Sequence, residues 1–433
     1  MSKTNAAPVS ANEHVVAAIM ATAEQRQIVA SEDIIDEHGV KLWGRDQPVS
    51  HSLQQRLLER KLRAPIESCL RAADGVTTAQ LLQGTEQLLA RQDGVGKLLA
   101  PHADVLLEEV AHLPLHAAVQ LLLTTVQTLR PAVFSHALEA MAIAGAVAAA
   151  QGWERYELRL ALLGGLLHDL GEMYLDPRYL EDGAAFDAAA YRHVVSHPVV
   201  GQQLIQRLTD YPEALALAIG QHHERLDGSG YPGRLSGAEI TPLGRLLAVT
   251  EVLMGIAGSG PAALSRACMA LRLVPGEFDS KWVQPVQQAT HDEAADIGRA
   301  HASAVGGDAG ARAAREALTE MAGRLRQARQ RAQTLMPNGA RPARPTVRQL
   351  TAERVLHRLQ RLEVGGHAIG VWAPPPPGQD PHTEFELRTA AHEFRFRLRC
   401  IRRECLWLNP QLNEADAHAL EPLWQALEHA QQA

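Results

Sequence analysis

Apolar residues recur along most of this chain at three- and four-residue steps, the spacing that lines one face of a helix. Residues 1–12 are polar and read as a tail, followed by a helix over His14–Gln25. Gln27–Ala30 and Val40–Trp43 then bracket Asp36-Glu-His-Gly39, a strand-turn-strand in which glycine supplies the turn. Ser50 starts a helix through Leu62 that places Leu53, Leu57, Leu58 and Leu62 on one face. Helices follow over Thr77–Ala90 and Ala103–Leu129, the second stopped by Arg130-Pro131. In the middle, helices are expected over Phe134–Gln151, Leu158–Leu170 and Pro212–Gln221, and the Leu-Ala-Leu-Leu-Gly-Gly-Leu-Leu run of the second is too apolar for a surface element.

Beyond Ala263 helices continue through Leu273 and over Ser280–His301, and Gly306-Gly307 breaks the pattern. From Ala311 the chain is a basic helix: Arg312 to Arg361 holds twelve arginines against three acids. Leu318, Met321, Leu325, Ala328, Ala332 and Leu335 form a short heptad-like seam, readable either as a dimer contact over 311–336 or as a helix packed on its own chain. Pro337–Pro345 and Pro374–Pro377 read as stiff linkers. Phe385 and Leu387, then Phe394, Phe396 and Leu398, alternate with charged residues and predict half-buried strands; Leu406-Trp-Leu408 predicts another, and Glu414–Ala430 an amphipathic helix. The expected fold is therefore mainly α, with a central helical bundle, a small N-terminal strand-turn-strand plus helix module and a small C-terminal α+β module. The expected division is 1–95, 96–310, 311–345 and 346–433.

Composition narrows the class. A length of 433 residues suits two or three domains, and the 4% aromatic content leaves Ala and Leu to fill the cores, which favours helix. A net charge of -7 gives no global attraction to nucleic acid or anionic membrane, and the arginine-rich helix lacks the interleaved aromatics of a nucleic-acid surface. Cys69, Cys268, Cys400 and Cys405 are scattered and form no Cys-x-x-Cys pair, which fits a reducing cytoplasm. The polar N-terminus shows no signal peptide, and no segment is expected to supply the ~20 apolar residues of a membrane span.

The chemistry concentrates between His136 and Glu251. The pair His168-Asp169 ends one apolar helix, His197 precedes a proline, His136 lies near the start of another helix, and His222-His223 close a third. A lone buried histidine is ordinarily a hydrogen-bonded core residue. An His-Asp pair, an His-His pair and a glycine-rich Asp227-Gly-Ser-Gly-Tyr-Pro232 loop in this order instead point to metal ions. Two neighbouring cations need imidazoles on each side and a carboxylate between them, and Asp169 is the candidate bridge.

Val133 to Ala263 resembles the HD-GYP branch of the HD phosphohydrolases. His168-Asp-Leu-Gly171 is similar to the family's His-Asp-x-Gly-Lys, and His222-His-Glu-Arg225 with Asp227-Gly-Ser-Gly-Tyr-Pro232 to its signature. The resemblance implies a helical bundle with two or three divalent metal ions, usually iron or manganese, acting on cyclic di-GMP. Position by position it implies the ligands His136, His168, Asp169, His197, His222, His223 and Glu251, with Asp169 central to catalysis. Around substrate, Gly228 and Gly230 would allow tight turns, Tyr231 would stack on a guanine and Pro232 would stiffen the exit, while Asp227 shapes the loop. Arg225, Arg234 and Arg245 are the nearby cations, with Arg225 and Arg245 the candidates for phosphate.

Three positions depart from the family pattern. Glu172 stands where relatives have lysine, Glu251 where the last metal carboxylate is usually Asp, and Ser259-Gly-Pro-Ala-Ala263 where relatives carry a basic phosphate-gripping stretch. Two functions follow from these residues. One is a metal-dependent phosphodiesterase for cyclic di-GMP carrying two iron or manganese ions. The other is a metal-bearing, catalytically weak module that binds nucleotide or a protein such as a diguanylate cyclase.

Overall fold

The computed structural model describes residues 9–180, 187–256, 262–293, 307–336, 343–372, 381–405 and 411–432. Ser259, Gly260 and Pro261, most of the Pro337–Pro345 linker, Pro374–Pro377 and the segment Leu406–Pro410 lie outside them. The described chain is mainly helical and forms two compact units. The first comprises 9–180, 193–224 and 230–254; the second comprises 187–192, 225–229 and everything described from 255 onwards.

In the first unit the hairpin joins Ile34–Ile35 to Lys41–Trp43, with Gly39 at φ 87° and the Asp36 carboxylate accepting from the His38 and Val40 amides. The expected partner strand, Ile28–Ala30, pairs instead with Leu70–Ala72, a pairing of distant segments that no local pattern announces. The helix expected to reach Leu62 spans only His51–Leu58. Leu53 and Leu57 supply its buried face, Leu58 is 46% exposed, and Lys61–Leu62 forms a strand against Val9–Ser10. The single helix expected over Ala103–Leu129 is two, Ala103–Ala111 and Ala117–Leu129. Pro114 lacks the N–H a continuous helix needs. The Tyr211 hydroxyl settles the break by donating to the Pro114 carbonyl at 2.5 Å and accepting from the His116 amide at 2.9 Å.

The helix Pro131–Ala150 is the spine of this unit, and every residue from Ala140 to Ala148 is buried. By length and apolarity alone it would also pass as a membrane span, against the expectation that no segment would. Its alanines and Gly145 let Arg155–Leu167 come very close, and a Cβ on Gly165 would lie 2.4 Å from the Ala140 carbonyl oxygen. That close approach fixes where His136 and His168 sit relative to one another.

The second unit contains only helices among its described regular elements, including Ala263–Arg272, Ser280–Ala289, Gly307–Thr334, Val347–Ala368, Pro381–Cys405 and Glu414–Gln432. The C-terminal α+β module is thus corrected: Phe385, Leu387, Phe394, Phe396 and Leu398 lie on one helix, not on strands. Ala390, Ala391, Phe394, Leu398, Ile401 and Cys405 are buried at helical spacing, while Phe396 is 47% exposed. Of the two readings of the seam over 311–336, the structure shows the packing on its own chain. Leu318, Met321, Leu325, Ala328 and Ala332 are buried in one core with Val355, Leu359, Phe394 and Leu423, so the apolar stripe is covered by this chain's own helices.

Candidate metal centre

Asp169 follows the helix Arg155–Leu167, capped by His168, and its two carboxylate oxygens face in different directions. Oδ2 lies 3.6 Å from His136 Nε2 and 3.0 Å from His168 Nε2. Oδ1 lies 3.3 Å from His197 Nε2 and 3.5 Å from His222 Nε2. Two donor groups result, His136, His168, Asp169 and Glu251 on one side and Asp169, His197, His222 and His223 on the other. Donors sharing one ion at ~2.0–2.2 Å lie about 3 Å apart, the range seen here, and only Asp169 belongs to both groups.

Helix ends orient the imidazoles. A helix leaves its last carbonyls without intrahelical partners, and a histidine at the C-terminus can donate to them. His168 Nδ1 meets the Gly165 carbonyl at 2.8 Å and His222 Nδ1 the Ile219 carbonyl at 2.6 Å, each three residues back. His197, opening the helix His197–Leu208, meets the Val194 carbonyl at 2.6 Å in the same way. With the proton kept on Nδ1, each Nε2 presents a lone pair to the centre, the usual second contact of a metal-binding histidine. His197 Nε2 and His222 Nε2 lie 3.0 Å apart. His168 Nε2 and Glu251 Oε2, 3.4 Å apart, are buried and make no hydrogen bond among the described residues. Orphaned donors of this kind fit a cation.

The electrostatics agree. Burial would raise the Asp169 carboxyl, yet the charge of His168 and contacts from His136, His168 and His197 hold it well below the usual carboxylate range. Burial would likewise lower His168, but Asp169 and Glu251 lift it well above the ordinary imidazole value. Contact with Asp169 raises His136, whereas burial lowers His222. Charged carboxylates amid converging imidazoles make a site that favours positive charge. Glu172 is pushed up, first by burial and then by the charge of Asp169, and lies 3.6 Å from Arg130.

All seven candidate ligands therefore come together, five helices of the first unit contributing, Pro131–Ala150, Arg155–Leu167, His197–Leu208, Glu213–Gln221 and Pro242–Ile256. The candidate substrate residues divide. Tyr231 stacks on His223 with centroids 4.5 Å apart, and its amide donates to the His223 carbonyl at 3.1 Å, so one ring face is already engaged. Pro232 follows through a cis peptide bond and Gly230 is buried. Gly228 has φ 74°, and the Asp227 carboxylate accepts from the Ser229 amide at 3.1 Å. Arg245 donates to the Ile240 and Gly237 carbonyls at 2.9 and 3.0 Å, and Arg225 lies over the Phe278 ring at 4.8 Å. Both guanidiniums are held by protein groups.

Three site-forming residues were assigned no role from the sequence, although Gly171 and Glu224 stand inside the two motifs. Glu224, 1% exposed, accepts from the Gly233 and Leu235 amides at 2.6 and 3.0 Å and so holds the chain just after Pro232. Gln221 accepts from the Thr241 amide at 2.9 Å and donates to the Glu239 carbonyl at 3.3 Å. At Gly171 a Cβ would come within 2.2 Å of the His197 carbonyl oxygen, so only glycine lets the segment after Asp169 reach the His197 helix. Adjacency to the ligands was the available signal.

Residues 120–279 match the family model described as an HD domain. Over 219 residues the chain is 28% identical to the cyclic di-GMP phosphodiesterase PA4108 of Pseudomonas aeruginosa, covering 49% of this chain and 50% of that protein. It is 31% identical over 120 residues to the cyclic di-GMP phosphodiesterase response regulator RpfG of Xanthomonas campestris, covering 28% of this chain and 32% of the relative. The 3'3'-cGAMP-specific phosphodiesterase 3 of Vibrio cholerae is 31% identical over 96 residues, 22% of this chain and 21% of that protein. The chain thus spans half or less of the length of these relatives. A solved structure, Bd1817 from Bdellovibrio bacteriovorus, aligns over 49% of this chain and 69% of its own at 18% identity with a TM-score of 0.32.

Proposed function

Residues 120–279 of this chain are an HD domain, and from that premise we propose that the protein is a metal-dependent phosphodiesterase that opens a cyclic dinucleotide, with cyclic di-GMP as its substrate and two iron or manganese ions at the centre. The observation that carries the reading is the Asp169 carboxylate, with one oxygen facing His136 and His168 and the other facing His197 and His222. Ions held by these two sets would polarise the phosphodiester and lower the pKa of a bound water towards neutrality.

The chain's own residues supply placement. His168 and His222 are held in orientation by carbonyls of the helices they end, and His197 by the last carbonyl of the preceding helix, so little reorganisation is needed when substrate arrives. Glu251 completes the side that holds His136 and His168, and His223, braced by Tyr231, completes the other. Asp169 is the shared ligand of both sets and hence the residue on which catalysis most depends.

The test is to load the full-length protein with manganese or iron, supply cyclic di-GMP and 3'3'-cGAMP separately, and separate linear products by chromatography. Product from cyclic di-GMP that disappears in His168→Ala supports the reading. Equal traces from wild type and His168→Ala would overturn it, and preference for 3'3'-cGAMP would change the substrate.

The weakly catalytic regulatory reading draws on one specific observation. Arg225 and Arg245 are engaged by Phe278 and by backbone carbonyls, and Glu172 brings a carboxyl where the HD-GYP pattern that the sequence resembles has lysine. Each charge-assisted hydrogen bond missing from a phosphate clamp costs ~1.5–3 kcal/mol of binding. Nucleotide binding with intact metal content and no product would favour this second reading.

A further inference from the structure

The signature loop is gripped by a helix some 130 residues later in the chain. Within the second unit, His357 Nε2 lies 3.3 Å from the Asp227 carbonyl oxygen, and Arg358 Nη1 donates to the Ser229 carbonyl at 3.3 Å. Arg361 Nε lies 3.6 Å from Asp227 Oδ2, and the same guanidinium donates to the Pro275 carbonyl. These three side chains share one turn and one face of Val347–Ala368, since 357 and 361 are four residues apart and 358 and 361 three.

The helix that carries them is itself rigidly seated. Val355, Leu359 and Leu362 are buried, and a Cβ on Gly365 would lie 2.1 Å from the Leu273 carbonyl oxygen. The loop, by contrast, is short and rich in glycine. In Asp-Gly-Ser-Gly, Gly228 sits at φ 74°, and the internal bonds include the Ser229 amide to Asp227 and the Gly228 amide to the Arg225 carbonyl. Leu226 adds one bond to the Glu277 carbonyl at 2.9 Å. A short polar loop of this composition would sample many conformations unless side chains from a fixed element held it.

Connectivity gives the grip a functional meaning. The loop begins four residues after His223 and returns at Tyr231, which stacks on His223. Its conformation is therefore tied covalently to the histidine pair at one end and to the ring that braces that pair at the other. We propose that the helix Val347–Ala368 is a clamp that sets the Asp227–Ser229 loop for substrate, with Arg358 and Arg361 as positioning residues; this rests on the phosphodiesterase reading above. The helix lies outside residues 120–279, so the clamp is an addition to the HD domain supplied by the C-terminal part of this chain.

The test uses full-length, manganese-loaded protein as wild type, as Arg358→Ala with Arg361→Ala, and as Arg361→Lys. Amide hydrogen exchange is followed by mass spectrometry, and kcat and KM are measured with cyclic di-GMP. In the double variant, amides at 226–231 should exchange at least fivefold faster while peptides from Val347–Ala368 and Pro381–Cys405 keep the wild-type rate. KM should rise at least fivefold with kcat changed less than twofold, and Arg361→Lys should recover most of both effects because it retains the charge opposite Asp227. Unchanged exchange at 226–231, or exchange raised equally throughout the C-terminal helices, overturns the clamp. A wild-type protein that hydrolyses no dinucleotide would sink the phosphodiesterase reading alone, because the exchange experiment decides the clamp without turnover.

Discussion

Removing a single hydroxyl, by Tyr174→Phe, should reveal how firmly the N-terminal module is joined to the segment that carries Asp169. Tyr174 ends the turn Leu170–Tyr174 directly after Asp169. Its hydroxyl donates to Glu67 Oε1 at 2.5 Å, Glu67 is 5% exposed, and the Asn12 amide donates to the Tyr174 carbonyl at 3.1 Å. Burial lifts the Glu67 carboxyl above its usual range, and the Tyr174 hydrogen bond only partly opposes this. A buried oxygen left without its donor costs ~1–3 kcal/mol. For a unit of this size, each kcal/mol moves the melting temperature by about 2–4 °C, so the expected fall is roughly 2–12 °C. Calorimetry with resolved transitions reads it.

The companion variant Glu67→Gln keeps an acceptor for Tyr174 and cannot ionise. Because the folded pKa of Glu67 is raised, the native state holds more protons than the unfolded state above the unfolded carboxyl value. Wild-type stability from this group is thus fully present at low pH and declines as pH rises through that window. Glu67→Gln should flatten that decline and gain on wild type as pH increases. A loss below about 0.5 kcal/mol in Tyr174→Phe, together with an unchanged pH profile in Glu67→Gln, would refute the coupling. It would also favour a core separable near residue 95, since that cut parts Glu67 from Tyr174.

The remaining predictions are shorter. Wild-type protein made with iron or manganese should carry close to two ions per chain by elemental analysis, and less than half an equivalent, unchanged by His168→Ala, would count against the centre. Gly171→Ala should cost ~1–3 kcal/mol through overpacking against the His197 carbonyl and weaken metal binding by about 10–100-fold, as measured by competition with a chelator. Arg397→Ala should destabilise the second unit by ~3–5 kcal/mol in urea, because Glu277, 3% exposed and 2.6 Å from Arg397 Nη1, is left as an unpaired buried charge. Adding Glu277→Gln to that variant should recover much of the loss.

The candidate metal centre was legible where a candidate ligand is tied to a local feature of the sequence. His168 and His222 end apolar helices, where unpaired carbonyls orient the ring, and Asp169 and His223 come with them by adjacency. The C-terminal helices were misread for a related reason. Between Phe385 and Leu398 the apolar residues satisfy a two-residue step, yet Phe394, Leu398, Ile401 and Cys405 satisfy the helical step over a longer span, and the longer period is the one the core obeys. Apolar spacing also says only that one face must be covered, not by what. The stripe from Leu318 to Ala332 would serve two copies equally well, but here helices of the same chain bury it. The arginines of Val347–Ala368 hide their role in the same manner. A charged side chain on a helix reads as solvated until the fold brings an acceptor to it, and Asp227 lies 134 positions before Arg361. What a sequence leaves unreadable in this protein is the long-range partner of each charge, and Arg358 and Arg361 reach the Asp227–Ser229 loop through just such contacts.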